Sequence, residues 1–167
     1  MRRALAQVIA TFGGVGLLPL APGTWGSAAA LPLGWLAHGL GGFALVALVT
    51  VVAFAAGWWA TAEVTRGRAE QDPGEIVIDE VAGQLVALWP LSLGLTVMGA
   101  PAWLFPWPGW VGGFVMFRLF DILKPGPVRR ADRMHTPLGV MLDDLVAGAL
   151  AAVVVTAAAA VAHGWLR

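Results

Sequence analysis

Residues 140–161 read VMLDDLVAGALAAVVVTAAAAV: a long run of small and branched apolar side chains, with two adjacent carboxylates, Asp143 and Asp144, near its start. About 20 apolar residues suffice for a helix to cross a hydrocarbon core, and such a core excludes charge. A doubled acid at the edge of this run therefore needs a reason.

The rest of the chain has the same character. Of its 167 residues 59% are hydrophobic and only 12% charged. A soluble domain carries roughly a quarter charged residues, so this chain lacks the polar surface to cover itself in water. The expected architecture is all-α: a polytopic integral membrane helical bundle of about four to five transmembrane helices in a single domain, residues 1–167. Net charge is zero, which argues against nucleic acid as a partner and leaves the lipid bilayer as the expected one. The absence of cysteine excludes disulfides, iron–sulfur clusters and thiolate zinc sites.

The expected crossings are 24–37, 43–62, 81–99, 103–123 and 145–166. HGLGG at 38–42 divides the first two as a tight turn. The glycine-rich region before Pro19 reads as an interfacial or re-entrant segment. Charge asymmetry orients the bundle. Arg66 and Arg68 fall in one polar loop, and Arg118, Lys124, Arg129, Arg130 and Arg133 lie in or beside another. The intervening connections, HGLGG and APAWLFPWPGW (100–110), carry no Lys or Arg. The positive-inside rule places both charged loops in the cytoplasm, with PGTWGS (22–27) on that side too. His38 and His163 are expected at the opposite end.

Nine of the ten acids lie between Glu70 and Asp144, in three groups where the charged loops meet helices: DPGEIVIDEVAGQ (72–84), FRLFDILKPGPVRRADR (117–133) and GVMLDDLVAG (139–148). Asp79 with Glu80, and Asp143 with Asp144, each precede a small-residue pair, Ala82-Gly83 and Ala147-Gly148. Helix capping explains one acid per helix start. Two acids followed by a place of close approach point instead to a functional site. Arg118, Asp121 and Lys124 are spaced by three along one side of a helix end. Either they form a plain ion pair, or Asp121 adds a ligand while Arg118 and Lys124 hold phosphate. All-oxygen ligation favours Mg²⁺ or Mn²⁺ over zinc. Thr24 and Ser27, with the backbone N–H groups of PGTWGS, make a ready anion site or a simple helix cap. His135, on a loop, reads as a surface contact. The residues alone lead to a Mg²⁺ enzyme acting on a phospholipid. A cation-coupled membrane transporter and another metal-dependent phospholipid headgroup enzyme remain alternatives.

LAPGTWGS, DPGEIVIDEVAGQ, FRLFDILKPGPV and GVMLDDLVAG occur in the order and approximate spacing of bacterial phosphatidylglycerophosphatase A, and the similarity extends from Thr11 to Gly148. The resemblance implies a Mg²⁺-dependent, multi-pass enzyme of the bacterial inner membrane with its site facing the cytoplasm. Its substrate would be phosphatidylglycerophosphate, converted to phosphatidylglycerol and phosphate. By motif it implies the acids Asp72, Asp79, Glu80, Asp121, Asp143 and Asp144, with the cations Arg118 and Lys124. Of these, Asp79, Glu80, Asp143 and Asp144 are expected on the metal, and Thr24, Ser27, Arg118, Lys124 and Arg129 are expected toward substrate. One departure is Thr136-Pro137, where the family often has a glycine pair.

Overall fold

A computed structural model describes residues 1–165, without the side chains of 163 and 165. Leu166, Arg167 and the side chain of His163 lie outside the described residues. Among these, all regular structure is helical: α1 (Arg2–Ala10), a single 3-10 turn (Val15–Leu17), α2 (Pro22–Val64), α3 (Ile78–Ala87), α4 (Trp89–Val97), α5 (Trp107–Leu123), α6 (Gly126–Asp132) and α7 (Pro137–Trp165). Three helical stretches are long and apolar enough to cross a membrane: α2, α3 with α4 (Ile78–Val97), and α7 up to Ala162.

α2 is two helices folded at a glycine pair. Gly41 leaves the helical region at φ −156° and ψ 18°, and Gly42 has φ 59° and ψ −154°, a region open essentially to glycine alone. The expected break is therefore present, but the first leg continues through His38 to residue 40. α1 is too short to cross a bilayer. It lies along α2 with Ala6 and Ala10 buried, and the backbone N–H of Val77 donates to the Ala10 carbonyl at 2.9 Å.

α3 is the inner helix. Every residue from Ile78 to Ala87 except Glu80 is buried, although its stretch is the least apolar of the three, with mean hydropathy 1.3 against 2.3 and 2.4. Ringed by protein instead of lipid, α3 can carry Asp79, Glu80 and Gln84 where a lipid-facing helix could not. α2 and α7 pack on either side of it, and they are apolar around most of their circumference, as lipid-exposed helices are.

α3 and α7 cross at two glycines. A methyl group on Gly83 would lie 2.5 Å from the Asp144 carbonyl oxygen and 2.6 Å from the Phe117 ring, and one on Gly148 would run into the Gly83 carbonyl. Small residues at such a crossing let the backbones touch.

α7 begins eight residues before the expected 145, and the cause is local. Thr136 Oγ1 accepts the Gly139 N–H at 3.1 Å, and Pro137 occupies the first helical position. That is an N-cap followed by a proline whose missing N–H costs nothing there. Asp143 and Asp144 thus lie well inside a helix, with no acid in its first turn, so capping does not account for them. α5 likewise starts at Trp107 instead of 103, after Pro106. The polar loop expected at 121–143 contains the short helix α6.

The chain runs between two unlike ends. One holds α1, the 65–77 loop, α6 and the acid-bearing helix segments. At the other, His38 Nδ1 and Ser92 Oγ share a hydrogen bond of 2.8 Å, the Phe43 N–H donates to Thr96 Oγ1, and Trp35 packs edge-on against Trp103 with ring centroids 5.4 Å apart. The two connections there, 38–45 and 97–107, contain no charged residue.

Gly148→Val is expected to cost about 1–3 kcal/mol through overpacking and to lower the thermal unfolding midpoint in detergent. Gly112→Ala, whose methyl meets open space, should leave that midpoint in place. Equal midpoints for the two variants would show that the crossing tolerates added bulk.

Candidate functional site

Successive residues on an α-helix point about 100° apart, so a doubled acid cannot send both carboxylates the same way. Asp144 turns toward α3. There it meets Asp79 and Glu80, and one oxygen from each of the three lies within 4.8 Å of the others. Asp143 turns toward the end of α5 and accepts a bond from Lys124 Nζ at 2.7 Å. Both are buried, Asp143 5% and Asp144 3% exposed.

Glu80 stays beside Asp79 in this cluster and also reaches the start of α2. Gly23 is the contact. A Cβ there would overlap Glu80 Oε1 and lie 3.3 Å from Arg118 Nη1, so the absence of a side chain lets three elements converge. Arg118 Nη1 pairs with Asp121 Oδ2 at 2.7 Å and donates to Ser27 Oγ at 3.3 Å. The Ser27 hydroxyl in turn donates to the Gly23 carbonyl at 2.8 Å. Arg118 is thereby held from two sides, while its Nε has no partner.

Lys124 caps α5 in a left-handed conformation, φ 44°, which swings its side chain toward α6 and α7. There it bridges Asp132 and Asp143. Burial pulls its pKa down, but the bonds to Asp132 and Asp143 prevail and hold it above the usual lysine value. The ammonium stays charged, engaged with carboxylates. Asp72 is an exposed residue of the 65–77 loop, set among charged neighbours. Partial burial pushes its pKa up against the pull of Lys124, reinforced by Asp132, Asp121 and Glu70.

The donor chemistry suits a hard divalent cation. Three carboxylates share one small space, and Asp79 Oδ1 and Glu80 Oε2 are buried with no hydrogen-bond partner. Unpaired charge of this kind is costly unless a cation neutralises it. Neither cysteine nor histidine stands among these ligands, which favours oxygen-preferring ions. His38 is at the opposite end, as expected.

The structure thus brings together Ser27, Asp79, Glu80, Arg118, Asp121 and Asp144, with Gly23 among them. Asp143 and Lys124 form an adjacent pair of their own. Thr24 adjoins Gly23 at the start of α2, with no side-chain bond to the cluster. Arg129 and His135 are exposed and stand apart from the cluster.

Three contributors escaped sequence reasoning. Gly23 carried a legible signal, since glycine after proline at a helix start marks a place of close approach. Asp132, the second partner of Lys124, had none, because α6 was read as loop. Gln84 is fully buried with neither amide atom bonded. Its position four residues after Glu80, on the same helical face, was available from spacing.

A family model described as phosphatidylglycerophosphatase A matches residues 8–159. A phosphatidylglycerophosphatase A of Escherichia coli is 35% identical over 147 residues, covering 87% of this chain and 78% of its own. That of Haemophilus influenzae is 34% identical over 152 residues, covering 90% and 86%. A Bacteroides thetaiotaomicron protein, provisionally named a phosphatidylinositol-3-phosphatase, is 33% identical over 162 residues, covering 92% and 93%. No solved structure matches. With its bundle of apolar helices and its carboxylates gathered at one end, the chain belongs to the phosphatidylglycerophosphatase A family.

Proposed function

We propose that this chain hydrolyses the terminal phosphate of phosphatidylglycerophosphate, yielding phosphatidylglycerol and inorganic phosphate, with Mg²⁺ held by Asp79, Glu80 and Asp144. The observation that carries this reading is the carboxylate trio beside Arg118, two of whose buried oxygens lack partners, in a chain of this family.

A bound Mg²⁺ would neutralise phosphoryl charge and lower the pKa of water. The chain's own groups do the rest. Arg118, steadied by Asp121 and Ser27, offers its unpaired Nε to the phosphate. Gly23 lets Glu80 and Arg118 come up against the start of α2, and Ser27 and Thr24 line that side. A carboxylate of the cluster receives the proton released as water adds to phosphorus, and returns it to the leaving glycerol oxygen as the P–O ester bond breaks. Asp143 and Lys124 are positioning residues in this scheme: their pair joins α5, α6 and α7 and sets where Asp144 stands.

Counting the two legs of α2 separately and α5 as a pass gives five crossings of one domain. Nine of the ten basic residues then fall at the carboxylate end, which the positive-inside rule puts in the cytoplasm of a bacterial inner membrane. Acids gathered at one end also favour an enzyme over a transporter, whose carboxylates should extend toward the midplane. The Bacteroides relative supports a second reading, that the monoester sits on another phospholipid head.

Purified protein in detergent with Mg²⁺ should release phosphate from phosphatidylglycerophosphate, and EDTA should stop it. Asp144→Asn should lower kcat about a thousandfold, the scale of several kcal/mol of charge stabilisation. Release that survives Asp144→Asn would take the ion away from that carboxylate. Faster release from a phosphoinositide monoester would favour the second reading.

Lys124→Met leaves the buried Asp143 carboxylate unpaired and should lower stability by about 1–3 kcal/mol. Adding Asp143→Asn should recover part of that loss in thermal melts. Simple additivity of the two substitutions would show that the pair is not coupled.

A further inference from the structure

Between the first leg of α2 and α5 runs a cleft that changes character along its length. α2 packs chiefly on α3 and α5 chiefly on α7, so these two helices diverge from each other. Gly23, Ser27 and Arg118 stand at one end of the cleft. Beyond them, Ala28, Leu31, Pro32 and Trp35 face Phe105 and Trp110 across a groove of about 380 Å³. The four α2 residues fall on one helical stripe. At the far lip the wall is held in place: the Trp35 indole N–H donates to the Trp103 carbonyl at 3.3 Å, and the two rings meet edge to face.

The dimensions are those of a lipid tail. At the α-helical rise, Trp35 lies about 12 Å from Ser27, and Trp110 about 12 Å from Arg118. One leaflet of hydrocarbon is about 15 Å deep. The groove therefore descends through most of a leaflet from a cationic and carboxylate end. A bulk membrane lipid with a zwitterionic head matches the groove but not that end. A lipid ending in a phosphate monoester matches both.

The geometry points to this groove as the binding site for one acyl chain of the substrate, with its phosphorylated head at Arg118 and the carboxylates. The inference rests on the reading of the site as a phospholipid phosphatase, and it adds where the hydrocarbon goes. Binding energy gathered along the tail would then orient a head that the carboxylates alone could not hold in register.

Two measurements test it. In the first, Leu31→Trp, which fills the groove, is assayed on long-chain phosphatidylglycerophosphate and on its deacylated, water-soluble headgroup. The ratio of kcat/KM for lipid over headgroup should fall about tenfold from the loss of buried methylene contacts. An unchanged ratio would overturn the groove. In the second, wild-type protein is irradiated with a long-chain phosphatidic acid carrying a diazirine in its acyl chain, beside a phosphatidylcholine bearing the same chain. Crosslinks from the phosphate monoester concentrated on residues 28–35 and 105–110, and sparse from phosphatidylcholine, are the expected result. Equal labelling by both would mean that bulk lipid fills the groove. If the protein releases no phosphate yet shows the selective crosslinks, the phosphatase reading falls and the groove stands.

Discussion

Everything at the carboxylate end depends on the contact between Gly83 and Gly148. Two helices that touch backbone to backbone bring their flanking side chains closer than side-chain packing would allow. One turn before Gly83 stands Asp79, and one turn before Gly148 stands Asp144. The acids are thus pressed together by a van der Waals contact that has no charge in it. Like charges in a poorly solvated space repel strongly, and apolar packing elsewhere in the bundle must hold that arrangement. Phe117, Met141, Leu85 and Ala147, all fully buried around the crossing, supply it.

The placement of α3 follows from the same constraint. A helix with Asp, Glu and Gln in its first two turns is poorly suited to lipid, and here it is surrounded by α2, α5 and α7. Its neighbours take the contact with hydrocarbon. The bundle thereby separates two solvents, lipid outside and a small polar interior at one end, with the boundary drawn by α3's burial.

Much of this was legible from residues alone. The apolar runs, the break near Gly41 and Gly42, the convergence of the three acid groups and the close approach at Gly83 and Gly148 all follow from composition and spacing. The start of α7 was not foreseen, because Val140 to Leu142 looked like a loop leading to the doubled acid. Thr136-Pro137 is a start signal in its own right, and it was read only as a departure from a glycine pair. The parting of Asp143 from Asp144 needed the helical register that this start determines. Lys124 read either as part of an ion pair with Asp121 or as a cation for phosphate, and it is engaged with Asp132 and Asp143. Its engagement depends on a left-handed backbone and on α6, neither of which its neighbours in sequence announce. Gln84 shows the converse limit: its spacing was plain, but only burial reveals that nothing bonds to it.

The uncharged turns at the far end bear on how the chain enters a bilayer. The two legs of α2 form one helical hairpin, and α3 with α4 and α5 forms another. Each has its charged groups at the open end and none at the tip. Carrying a single Arg, Lys or Asp across the centre of a membrane costs about 2.5–3.5 kcal/mol by insertion measurements. Neither hairpin incurs that cost. Both can enter tip-first, leaving the carboxylates and cations of these segments in water until α7 arrives and the acids are drawn together.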